Sequence, residues 1–85
     1  MFSLMTTRTP TQASINALRL GTKANKYSNA RFHEDAAMAH EEAAGLHTAA
    51  ANTDDAGRRA HHQRKAERHA EMAKAHYNAM NRANH

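Results

Sequence analysis

Histidine is the residue with the most chemical potential in this sequence, which holds eight histidines in 85 residues. Six of them form two sets with a spacing of seven: His33, His40 and His47, then His62, His69 and His76. Imidazole is a common metal ligand, and its unperturbed pKa lies close to neutrality. The spacing therefore raises two hypotheses, a metal site and a response to pH.

The spacing of the histidines argues against a metal site on one helix. Ligands on one helix lie three or four residues apart, as in the HExxH motif, and seven residues separate two side chains by about 10.5 Å. No histidine has a His, Asp or Glu at three or four residues within a predicted helix. Two helices could combine His33 with His76, or His40 with His69, but each pair supplies only two ligands, so dimerisation would be needed. We predict no metal and no cofactor, and keep a histidine metal site as an alternative.

The pH hypothesis depends on how the two sets meet. The pairs His33 with His76, His40 with His69, and His47 with His62 lie at equal distances from a turn at Asp54-Asp55. Two antiparallel helices would bring such pairs level, and protonated pairs would repel each other. The sequence thus predicts that helicity or thermal stability falls between about pH 7 and pH 5.

Catalytic patterns are absent from the sequence. There is no cysteine, and the three glycines, Gly21, Gly45 and Gly57, stand alone, so no glycine-rich phosphate loop exists. No Ser-His-Asp or paired-carboxylate arrangement is legible, and a thin helical body has little room for a closed pocket. We predict that the protein is not an enzyme.

Composition predicts an all-α fold in a single domain covering 1–85. Twenty of the 34 hydrophobic residues are alanine, with no valine or tryptophan and a single isoleucine, Ile15. Alanine is the best helix former, whereas strands need β-branched and aromatic residues. No apolar run approaches the roughly 18 residues of a membrane span, so we expect a soluble chain without membrane contact.

A short helix is predicted first. Thr9 can cap it, Pro10 suits its first position, and Gly21 is a stop signal, which gives a helix over about 10–20. We expect 1–8 to be a flexible tail and 21–28 to be a connector, with Ser28 or Asn29 capping the next helix.

Two long helices follow, over about 29–51 and 55–83. The polar stretch 52–55 separates them, with Thr53 or Asp54 as the second N-cap. Such a short break predicts an antiparallel helical hairpin, a kind of antiparallel coiled coil, with an alanine-rich seam. Its symmetry also sets Asp35 against Lys74 and Glu41 against Arg68.

Two registers compete for this seam. One is apolar and pairs Phe32, Ala36, Ala39, Ala43 and Leu46 with Ala66, Ala70, Ala73, Tyr77 and Met80. The other alternates histidine and alanine layers. Because an unpartnered buried polar group costs about 1–3 kcal/mol, we favour the apolar register, with the histidines half-buried on its flanks. The first helix would cover one side through Ile15, Leu18, and Leu4 or Met5.

Charge divides the chain into three blocks. Residues 1–31 carry +5, residues 32–56 carry −6 and residues 57–85 carry +5. The last block opens with a basic cluster, the candidate contact for a partner or for phosphate: Arg58, Arg59, Arg64, Lys65 and Arg68. We expect these residues to bind a larger protein or nucleoprotein, which the protein would modulate or inhibit.

Two alternatives concern the partner. Non-specific nucleic-acid binding would use the same basic cluster, although Tyr27 and Tyr77 are the only aromatic side chains near basic residues and no recognition motif is present. Alanine outside either seam, as at Ala44 and Ala75, favours a homo-oligomer or a larger partner that covers it. The acid-free N-terminal stretch has the composition of an organellar transit peptide, but we expect a cytoplasmic protein.

Overall fold

A computed structural model describes residues 8–53 and 55–83 of the chain. These residues form three α-helices and no strand: α1 (Pro10–Tyr27), α2 (Ala30–Ala51) and α3 (Ala56–Ala83). The predicted all-α class is confirmed. Helix α2 packs against both of the others, within extents of 45 × 31 × 16 Å. None of the three helices is both long and apolar enough to cross a lipid bilayer.

Helix α1 begins where predicted. The Thr9 hydroxyl accepts from the Gln12 N–H, and the Gln12 side chain accepts from the Thr9 N–H, both at 3.1 Å. This reciprocal capping box and Pro10 in the first turn satisfy the N-terminal end of the helix.

The end predicted for α1 is wrong, because the helix continues through Gly21 to Tyr27. The proposed connector 21–28 is therefore almost entirely helical. The helix ends at Ser28, whose left-handed backbone (φ 51°, ψ 40°) lets its N–H donate to the Ala24 carbonyl. Gly21 is buried within the helix and has a packing role, described with the site below.

The ends of α2 and α3 are also capped by side chains. The Asn29 side-chain oxygen accepts from the Arg31 N–H at 2.8 Å, so Asn29 rather than Ser28 caps α2. The Asp55 carboxylate accepts from the Arg58 N–H at 3.0 Å and caps α3, a role predicted for Thr53 or Asp54. Three predictions lie outside the described residues: the structure of tail residues 1–7, the docking of Leu4 or Met5, and the role of Asp54.

The contact between α1 and α2 is made of alanine. Its core consists of Ala13, Ala17, Ala39 and Ala43, with Leu20 and Leu46 packed against it. Ile15 and Leu18 are instead 60% and 52% exposed, so the prediction that they dock α1 is wrong. Small side chains let two helix axes approach closely, and here the close contact uses the alanine side of α1.

Paired histidines lie in the contact between α2 and α3. The buried residues on the two helices include Ala36, Ala43 and Ala73 together with the following histidines: His33, His40, His47, His69 and His76. The apolar register with histidines on its flanks is therefore wrong. Ala70 is exposed, and Phe32 packs edge-on against Tyr27 of α1, with ring centroids 5.9 Å apart, rather than against Tyr77.

The alanine core predicts a strong dependence on side-chain size. We expect Ala43→Leu to destabilise the protein by about 1–3 kcal/mol, because a fully buried alanine against another helix leaves no room for a larger group. Ala49→Leu, on the exposed side of α2, is the matched control and should change stability little. Urea unfolding of the two variants tests this; equal midpoints would contradict a close-packed contact.

Candidate functional site

Six histidines form a ladder along the contact between α2 and α3. Each rung joins two rings through their Nδ1 atoms at 2.8 Å: His33 with His76, His40 with His69, and His47 with His62. These are the pairs that the spacing predicts, and they place α2 and α3 antiparallel. We call this set the histidine ladder.

Neighbouring rungs also touch each other. The His40 ring stacks on the His76 ring with centroids 5.7 Å apart and planes 11° from parallel. His47 and His69 repeat this arrangement at 5.9 Å and 11°. The ladder is thus a continuous column of rings.

Ser14 of α1 joins two rungs. Its buried hydroxyl lies 2.8 Å from His47 Nε2 and 2.8 Å from His69 Nε2. A hydroxyl has one proton, so it donates to one of these nitrogens and accepts from the other. Ser14 therefore fixes the protonation of one ring relative to the next, and it anchors α1 to both other helices.

The geometry of a rung requires at least one neutral ring. A neutral imidazole carries one N–H, so in an Nδ1 to Nδ1 hydrogen bond one ring donates and the other accepts. If both rings were imidazolium, both facing atoms would carry a proton and the hydrogen bond would be lost. The ladder is hydrogen-bonded throughout only when its rings are mainly neutral.

The surroundings of the rings favour this neutral state. Burial, followed by the neighbouring His69 and His76, lowers the pKa of His40 to about 4. Burial and the charges of His62, His69, Lys65 and His61 lower the pKa of His47 to about 4.

The remaining shifts have the same direction. Burial, then Lys65 and Arg68, lowers the pKa of His69. Burial, then His33, lowers the pKa of His76. No carboxylate of the described residues is among the causes of these four shifts.

Gly21 of α1 faces the ladder one heptad after Ser14. A Cβ atom at Gly21 would lie 3.2 Å from His76 Nε2 and 3.4 Å from His40 Nε2. The absence of a side chain therefore lets α1 approach these two rings. Gly21 faces His40 and His76 at the position that Ser14 occupies for His47 and His69.

The role of α1 escaped the sequence analysis, although a signal was present. Ser14, Gly21 and Ser28 share the heptad spacing of the histidines. Their order is antiparallel to that of His47, His40 and His33 on α2. Small residues at this spacing predict a third helix lying against the histidines, whereas Gly21 taken singly predicts a helix stop.

The structure places the residues of the predicted basic cluster in different surroundings. Arg59 donates from Nε to the Ala51 carbonyl at 3.2 Å and so bridges the turn. Arg64, Lys65 and Arg68 line an open groove of 710 Å³, together with His61, Glu67 and Glu71. All of these side chains belong to α3, so the groove is a space between long side chains on one helix face. We call Arg64, Lys65 and Arg68 the basic face.

The two charge pairs expected from the symmetry do not form. Asp35 makes no ion pair with Lys74, and Glu41 makes none with Arg68. Glu41 instead accepts a 2.8 Å hydrogen bond from the Tyr77 hydroxyl, which raises the pKa of Tyr77.

A different ion pair connects the start of α1 to α2. Arg8 Nη1 lies 2.8 Å from Glu42 Oε1, and both side chains are substantially exposed. Such an exposed pair adds little stability, so the docking of α1 depends mainly on its alanine and serine contacts.

Within the described part of the chain, no cluster of three or more His, Cys, Asp or Glu side chains could hold a metal ion. Comparison with protein-family models, curated proteins and solved structures finds no match to this chain. The ladder and the basic face are therefore the features of the described residues that indicate a function.

The bridging role of Ser14 gives a direct prediction. We expect Ser14→Ala to lower the free energy of unfolding by about 1–3 kcal/mol, because it leaves Nε2 of His47 and of His69 without a partner. Thr11→Ala, on the exposed side of the same helix, is the control and should have a much smaller effect. Chemical denaturation provides the measurement, and equal losses at both positions would refute the bridge.

The lowered pKa values predict instability in acid. Between about pH 6.5 and pH 4, His40 and His47 are neutral in the folded protein but protonated in the unfolded chain. Stability is therefore complete above pH 6.5 and is lost as the pH falls towards 4. Each such ring contributes a slope of at most about 1.4 kcal/mol per pH unit.

Melting temperatures measured from pH 7.5 to pH 4 test this acid dependence. The exposed His61→Gln variant should keep most of this pH dependence, because His61 is not a rung and is the smallest of the causes that lower the pKa of His47. An unchanged melting temperature at pH 7.5 and pH 4.5 would show that the ladder does not control stability.

Proposed function

We propose that this protein is a non-enzymatic helical interaction protein that binds a larger protein or nucleoprotein through the basic face and modulates or inhibits it. We further propose that its binding is sensitive to pH, because the basic face belongs to a helix held in place by the histidine ladder. The working unit would be the hairpin of α2 and α3, with α1 as its support. A cytoplasmic location is part of the proposal.

The observation that carries this proposal is the exposure of α3. Only three of its 28 residues are buried, namely His69, Ala73 and His76. Helix α3 packs mainly against α2, so most of its circumference faces outward. A long helix with so few buried residues is well suited to presenting side chains to a partner.

The charges on that helix support an anionic partner. Among the described residues, Arg64, Lys65 and Arg68 form no ion pair, so their charges are available to a ligand. Glu67 and Glu71 line the same groove, which gives the surface mixed charge. Mixed charge fits the patterned surface of a protein better than the uniform charge of a phosphate backbone.

Non-specific nucleic-acid binding is the second candidate, supported by the same uncompensated basic side chains. The two candidates differ in their response to nuclease and to salt, since phosphate contacts weaken steeply as salt rises. The exposed Ile15 and Leu18 on α1 are also consistent with association between copies of the chain.

Charge reversal of the basic face tests the proposal. We expect Arg64→Glu, Lys65→Glu and Arg68→Glu together to abolish partner capture from host lysate at pH 7.5 without loss of helicity. The matched control reverses Arg19, Lys26 and Arg31, which are exposed on α1 and α2, with the same change in net charge. This control should retain the partner.

Nuclease treatment of the same capture separates the two candidates. A protein retained by the natural sequence and the control after nuclease supports the interaction protein. Loss of every partner with nuclease would assign the basic face to nucleic acid. Equal capture by both triple variants would show that the basic face is only a solvated surface.

A further inference from the structure

We propose that Gly21 forms a site for one water molecule, which bridges His40 Nε2 and His76 Nε2. This water would join the three rungs and Ser14 into a single hydrogen-bonded chain along which a proton can pass. The inference concerns the ladder alone and is independent of any partner of the basic face.

Ser14 shows what the site at Gly21 should contain. At Ser14, a hydroxyl oxygen bridges Nε2 of one α2 histidine and Nε2 of one α3 histidine, each at 2.8 Å. At Gly21 the same pair of helices presents His40 Nε2 and His76 Nε2 to the same face of α1, one heptad later. The rings also stack in the same way at both levels. Only the bridging hydroxyl differs, because glycine has none.

The two nitrogens at Gly21 have hydrogen-bonding capacity to spare. His40 and His76 use their Nδ1 atoms in the rungs, and no group in the described part of the chain bonds their Nε2 atoms. All fully buried polar side-chain atoms described have a partner, so these two Nε2 atoms are not sealed from solvent. His40 as a whole is only 1% exposed, so the opening is small.

Water fits this opening better than an ion does. A buried water needs at least two polar partners, and it both donates and accepts, as the Ser14 hydroxyl does. A metal cation would find only two imidazole ligands, since no third ligand completes a cluster among the residues described. Its charge would also be buried without compensation.

With the water in place, the chain of hydrogen bonds runs from His33 through His76, the water, His40, His69, Ser14 and His47 to His62. In one of its two neutral states, every donor points towards the His62 end of the chain, so that His33 Nε2 carries no proton. A proton taken up at His33 Nε2 then displaces one proton along each bond in turn. One proton leaves from His62 Nε2, all rings are again neutral, and every tautomer is reversed.

Substitution of Gly21 tests the water site, because the site should reverse the stability order that helix propensity gives to alanine and serine. Alanine is a better helix former than serine, so an ordinary exposed helix position is more stable with alanine. Gly45 is such a position, because a Cβ there would meet nothing within 4 Å. At Gly21 we expect the opposite order. Gly21→Ser supplies the bridging hydroxyl, whereas Gly21→Ala displaces the water and leaves two nitrogens without a partner.

The melting temperatures of four variants, Gly21→Ser, Gly21→Ala, Gly45→Ser and Gly45→Ala, decide the question at pH 7.5. We expect serine to exceed alanine at position 21 by about 4–8 °C, and alanine to equal or exceed serine at position 45. The same order at both positions, with alanine above serine, would overturn the proposal.

Two further measurements distinguish a bridging water from a bound metal ion. In nitrogen-15 spectra of the natural sequence, one of the Nε2 atoms of His40 and His76 should be protonated and the other not, because a chain whose donors all point the same way requires it. Two unprotonated Nε2 atoms, with a melting temperature raised by Zn²⁺ in the natural sequence but not in Gly21→Ser, would assign the site to a metal and overturn the water. Neither measurement involves the basic face, so failure here is distinct from failure of the proposed function.

Discussion

The structure depends on one constraint, which is that a buried neutral imidazole has one donor and one acceptor and must satisfy both. The rungs satisfy the Nδ1 side of every ladder histidine with another ladder histidine. Since each ring needs its counterpart level with it, the spacing of seven on α2 must be matched by a spacing of seven on α3. Ser14 meets the same requirement on the Nε2 side of His47 and His69, and the proposed water would meet it beside Gly21. This face of α1 turns towards the rings and leaves Ile15 and Leu18 outside.

This constraint fixes how the helices are aligned along each other, which the alanine contacts alone do not. Alanine contacts bury little area, and a helix that meets others through alanine could slide by one heptad with little loss. A slip of α3 along α2 by seven residues would leave one histidine of each helix without a partner. Buried polar groups are known to fix register in this way in coiled coils. The ladder therefore selects one alignment, whereas the alanines permit close approach.

The sequence was sufficient to predict the helical class, the start of α1 at Thr9 and Pro10, and the matching of the histidine pairs. It did not predict that the rings would be buried, because a single unpartnered imidazole in a helix contact carries the full penalty of a buried polar group. In a pair, the partner of one ring is the other ring, and the penalty is removed for both. The extent of α1 was missed for a related reason. Gly21 stops a helix when its left-handed backbone is needed, but here the backbone is helical and the missing side chain makes room for His40 and His76.

The ladder and the basic face are not independent, because they share α3. Lys65 lowers the pKa of His47 and of His69, and Arg68 lowers the pKa of His69. An acidic partner bound to these side chains would offset their positive charge and so raise the pKa of the rings beside them. By linkage, protonation of the ladder and binding of such a partner would favour each other while the helices stay together, until a second proton on a rung breaks its hydrogen bond. The proposed binding surface and the histidine ladder are therefore coupled through the charges of Lys65 and Arg68 on α3.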